Sequence, residues 1–85
     1  MIIKVNKTIQ SEIELTFPCS FKHRSSPAYY HFNTEKTGIN VMGASGSINT
    51  ASPNNILFWD ELEPCEKSEV EEAFNKVVSQ LKDKL

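Results

Sequence analysis

"SEVEEAFNKVVSQLKDKL", residues 68 to 85, decides the fold class. Val70, Ala73, Phe74, Val77, Val78 and Leu81 recur at the spacing of one helical face, and Leu85 extends the series. Ser68 followed by Glu71 has the form of a capping box, in which serine accepts from a first-turn N–H and glutamate reaches back. Glu69, Glu71 and Glu72 gather at the start, with Lys82 and Lys84 at the end, matching the helix dipole. Glu72 and Lys76 add a favourable pair on the wet face. Pro64 marks the entry of the chain into this element. The pattern predicts a helix over about 68–84. A single apolar stripe on a charged helix must lie on something apolar, most simply a sheet.

The residues before it supply that sheet. In "IIKVNKTIQSEIELTF", residues 2 to 17, the odd positions Ile3, Val5, Ile9, Ile13, Leu15 and Phe17 are apolar and the even positions from 4 to 16 are polar. That is period-two alternation with one face buried. Parity persists from 3 to 17, which fits one long strand or two joined near Asn6-Lys7 or Gln10-Ser11. Pro18 ends the run or places it on a sheet edge. "AYYHF" (28–32) and "INVM" (39–42) are the next strands, with "EKTG" between them as a hairpin turn in which Gly38 supplies a positive φ. "GASGS" (43–47) is a further turn and Ile48 opens a weak strand. "SPNN" (52–55) is a turn signal, and "ILFW" (56–59) is a buried strand or the lead into the helix.

The expected architecture is α+β: an antiparallel meander of four or five strands over about 1–59, with one C-terminal amphipathic helix across one face, in a single domain. The order "FP…FK…YYHF…SEVEEAFNKVV" resembles small phage and mobile-element proteins of unassigned activity that combine a strand meander with a C-terminal helix. The resemblance implies that fold and no catalytic residue. In outline the arrangement is also similar to the dimeric single-strand-binding domain of transcriptional coactivators, an analogy of architecture without a shared residue motif.

A chain of 85 residues buries little more than about 60% of the surface it exposes when unfolded, so a partner that covers one face would add stability. The net charge of −2 is unevenly spread. Lys4, Lys7, Lys22, Arg24 and Lys36 outnumber Glu12, Glu14 and Glu35 in residues 1–50, whereas acids outnumber lysines two to one in 51–85. Any nucleic-acid site must therefore be local and in the N-terminal half. No apolar run approaches the length of a membrane span and no signal peptide is evident, so the expected location is cytoplasmic. Cys19 and Cys65 are expected as two reduced thiols.

No constellation points to catalysis, and no enzyme activity, cofactor or metal is expected. Cys19, His23, His31 and Cys65 are zinc-ligand types, but only the first two are close in sequence, whereas zinc sites pair their ligands in two close sets. Asp60 and Glu61 are adjacent carboxylates of an acidic turn, and "GASGS" lacks the lysine and following helix of a phosphate loop. "FKHRSSPAYYHF", residues 21 to 32, is the exception. Alternation assigns Tyr30 and Phe32 to the face beneath the helix and turns Tyr29 and His31 outward. Lys22, Arg24, Tyr29 and His31 around one loop are then the candidate contacts to a partner or to single-stranded nucleic acid. The functional expectation is a non-enzymatic interaction module, homodimeric and related to phage or mobile elements, with single-strand binding as the alternative.

Overall fold

The computed structural model describes residues 2–8, 11–56 and 58–85. Among these described residues seven strands precede one α-helix: β1 Ile2–Thr8, β2 Ser11–Thr16, β3 Cys19–His23, β4 Ala28–Phe32, β5 Gly38–Met42, β6 Ser47–Thr50, β7 Leu62–Pro64 and α1 Lys67–Lys82. Strands β3 to β7 form a five-stranded antiparallel sheet in the order β6-β5-β4-β3-β7. The fold is α+β, with the C-terminal helix packed on that sheet.

The first apolar run is two strands. β1 and β2 pair as a separate antiparallel hairpin, with Ile3 opposite Leu15 and Val5 opposite Ile13. This register explains the unbroken parity: when odd positions pair with odd positions, two strands read like one. Ile9, Gln10 and Leu57 lie outside the described residues, as do the side chains of Ile3, Val5 and Ile13. Leu15 is buried and Phe17 half-buried against the main sheet.

Both faces of the sheet are covered. On one, Phe21, Ala28, Tyr30 and Phe32 pack with Leu15 from the hairpin and with Ile56, Trp59 and Leu62 from the segment before the helix. Trp59 is the hub: its ring meets Phe21 edge-on at 5.2 Å and Phe32 at 6.0 Å between centroids. On the other face, Val41 packs with Val70 and Val77 of α1, flanked by Tyr29, Ile39, Ile48, Ala73 and Phe74. The helix crosses the strands, its first turn beside β3 through Lys22 and Glu69 and its last turns over β6, where Gln80 reaches Gly46.

The alternation of Ala28 to Phe32 thus divides the side chains as expected but onto opposite faces from those expected. Tyr30 and Phe32 point away from the helix, and Tyr29 and His31 lie beneath it. Of the segment 56–59, read as a strand or a lead-in, Ile56, Phe58 and Trp59 instead supply a second apolar layer. Asp60 and Glu61 close a 3-10 turn at Trp59–Glu61, and the chain then adds strand β7, which extends the sheet beyond residue 59. The helix starts one residue before Ser68. Its N-cap is Glu66, whose N–H donates to the Glu69 carboxylate at 2.9 Å, in place of the Ser68/Glu71 pair. Gly38 has no positive φ. Glycine is required there because a Cβ would lie 2.6 Å from the His31 carbonyl oxygen and from the Phe32 ring, and Gly46 is the turn residue at φ 68°.

Candidate functional site

The four residues singled out around the β3–β4 connection do not form one open patch. Lys22 and Tyr29 face each other across β3 and β4, and Ser20 faces His31 two positions along, all on the helix side. Because α1 covers this side, its acidic first turn meets the basic strand. The Lys22 Nζ lies 3.2 Å from Glu69 Oε1 and 3.9 Å from Glu63 Oε1 on β7. The Glu69 hydrogen bond raises the Lys22 ammonium above its ordinary pKa. Accepting the Glu66 N–H and then the Lys22 ammonium lowers the Glu69 carboxyl. Arg24 stands apart in the exposed loop, where its backbone N–H donates to the Glu61 carbonyl at 3.0 Å.

His31 is 7% exposed and uses both ring nitrogens. Nδ1 accepts the Ser20 hydroxyl at 2.7 Å and Nε2–H donates to Asn33 Oδ1 at 2.8 Å, which assigns the Nε2–H tautomer. His23 follows the same logic at the surface: it accepts the Ser25 N–H at Nδ1 (3.1 Å) and turns Nε2 toward Glu61 at 3.4 Å. A serine, a histidine and an asparagine in line resemble parts of a nucleophilic relay. Here Ser20 is 8% exposed, so the trio serves to satisfy a buried ring.

The zinc-ligand types are dispersed. Cys19 belongs to the core on the hairpin side and Cys65 to the core on the helix side, so the sheet separates the two free thiols. Burial pushes each thiol up to about 11. Among the described residues no three His, Cys, Asp or Glu side chains converge. Two clefts flank α1. One of about 300 Å³ lies over His31 and Ile39 against Val70 and Phe74, and one of about 390 Å³ lies over Pro27 and Tyr29 against Ala73 and Val77.

The two edges of the main sheet differ from one another. β7 is three residues long, contains Glu63 and ends on Pro64, which has no N–H to offer. In the separate hairpin, β1 carries Lys4 and Lys7, and β2 carries Glu12 and Glu14. β6, Ser47-Ile48-Asn49-Thr50, is one residue longer and carries neither a charge nor a proline, and nothing pairs with its outer side among the described residues. It lies within residues 37–59, which include no Asp, Glu, Lys, Arg or His. That uncharged run is the sequence signal that marks the edge.

Comparisons with protein-family models, curated proteins and solved structures found no match. No helix among the described residues is long and apolar enough to cross a membrane.

Proposed function

We propose that this chain is a small non-enzymatic interaction module that works as a homodimer. The observation that supports this most is the open edge of β6, a row of backbone donors and acceptors on a strand with no charged residue of its own, on a sheet whose other edge carries Glu63 and ends on proline. Natural sheets guard such edges because another strand adds to them readily. An uncharged edge left open suits a partner, and a second copy presents the same uncharged surface without like-charge repulsion. The dispersed cysteines, the committed His31 and the paired Lys22 favour binding over chemistry. The setting in a phage or mobile element rests on the resemblance in residue order alone.

Size-exclusion chromatography with light scattering at micromolar concentration is expected to return twice the 9.6 kDa chain mass. The chain mass at every concentration would remove the homodimer reading. The single-strand-binding alternative needs Lys22, Arg24, Tyr29 and His31 on one open face, and α1 covers three of the four positions. Titration of a labelled oligonucleotide at low salt is expected to show no binding; salt-sensitive binding lost in Lys22→Ala with Arg24→Ala would restore that alternative.

A further inference from the structure

We infer that two copies join edge to edge through β6 in one defined register, with Asn49 opposite Asn49 of the second copy. The inference rests on the homodimer reading and specifies its contact. The pairing of β6 with β5 fixes which backbone groups remain free. The Ala51 N–H donates to the Gly38 carbonyl at 3.0 Å, so position 38/51 is hydrogen-bonded. Antiparallel ladders alternate, which makes 40/49 the next bonded position and leaves 39/50 and 41/48 as the non-bonded ones. Ile48 and Thr50 therefore direct their N–H and C=O groups away from β5.

A two-fold axis normal to the sheet brings two such edges together antiparallel. With Ile48 facing Thr50 of the other copy, all the outward groups on both strands find partners, giving four hydrogen bonds. Shifting the axis to Ile48 or to Thr50 leaves one of these residues facing Gly46 or Ser52, beyond the strand ends. Asn49 then sits on the axis at a non-bonded position, on the face away from the helix, where two uncharged amides meet without cost from like charge. The two five-stranded sheets become one, with both helices on the same side. The occupant is a second copy because this register is self-complementary and the strand offers no charge with which to select a different partner.

An Asn49→Cys variant tests the register. Non-bonded antiparallel positions hold their Cα atoms about 4.5 Å apart, within the span of a disulfide. Under a mild oxidant the variant is expected to become a covalent dimer while the wild type, with its half-buried native thiols, does not. Asn49→Lys sets two ammonium groups face to face, and Thr50→Pro removes an outward N–H; both are expected to give monomers with the circular dichroism spectrum of the wild type. If Thr50→Pro unfolds, Asn49→Lys, at an exposed position, still decides. A wild-type dimer that neither cross-links through position 49 nor dissociates in the Lys variant would overturn the β6 register and leave the homodimer standing. A monomeric wild type would overturn both.

Discussion

Glu69 ties the start of the helix to β3 with one carboxylate: it accepts the Glu66 N–H that opens the helix and holds the Lys22 ammonium of β3. Its pKa is lowered in the fold, so this contribution is complete above the ordinary carboxylate range and disappears as pH falls through the lowered value. Thermal unfolding of Glu69→Gln at neutral pH is expected a few degrees below the wild type, with the difference closing in acid; an unchanged melting temperature would argue against the link. The thiols behave oppositely. With Cys19 and Cys65 raised to about 11, stability is complete below about 9 and falls as pH rises through 11. Alkylation at pH 8 should be slow in the native protein and fast in denaturant. Ser20→Ala leaves the buried His31 Nδ1 without a donor and should cost about 1–3 kcal/mol by chemical denaturation. The Lys22–Glu69 and Ser20–His31 partnerships were not legible in the sequence, because each joins residues on different elements: Lys22 and Glu69 stand on elements that only the tertiary fold brings side by side.

At the level of elements, local periodicity carried much of the information. The stripe from Val70 to Leu81 and the alternation from Ile3 to Phe17 are properties of neighbouring residues, and the helix and paired strands follow from them. Face assignment does not follow, because alternation separates Tyr29 and His31 from Tyr30 and Phe32 without saying which set meets the helix. In the fold Tyr30 and Phe32 pack around Trp59, while Val41, with Tyr29, Ile39 and Ile48 beside it, meets Val70, Val77 and Phe74 of α1. β7 was hidden for a different reason: its three residues are too few to show a period and sit among acids. Phe32→Ala, at a fully buried position in the aromatic layer, should cost about 3–5 kcal/mol and leave little folded protein. Val77→Ala under the helix should cost about 2 kcal/mol, measured by urea denaturation. If both changes were equally mild, the two-layer core would be wrong.

For the whole molecule, the basic-aromatic segment that drew attention in the sequence is largely absorbed by the fold. Tyr30 and Phe32 are core, His31 is buried with its nitrogens satisfied, and Lys22 is held by two glutamates. The proposed contact lies in a stretch with no reactive residue. Residues 37–59 read as the strand "INVM", turns, a weak strand from Ile48 and the apolar run "ILFW", and their lack of charge acquires meaning only when β6 proves to be an open edge. The most direct measurement is amide hydrogen exchange along that strand as a function of protein concentration. The Asn49 N–H is bonded within the chain and should be protected at every concentration. The N–H groups of Ile48 and Thr50 should exchange rapidly in dilute protein and slow toward the Asn49 rate as copies pair. Rapid exchange of Ile48 and Thr50 at all concentrations, beside a protected Asn49, would contradict pairing through β6.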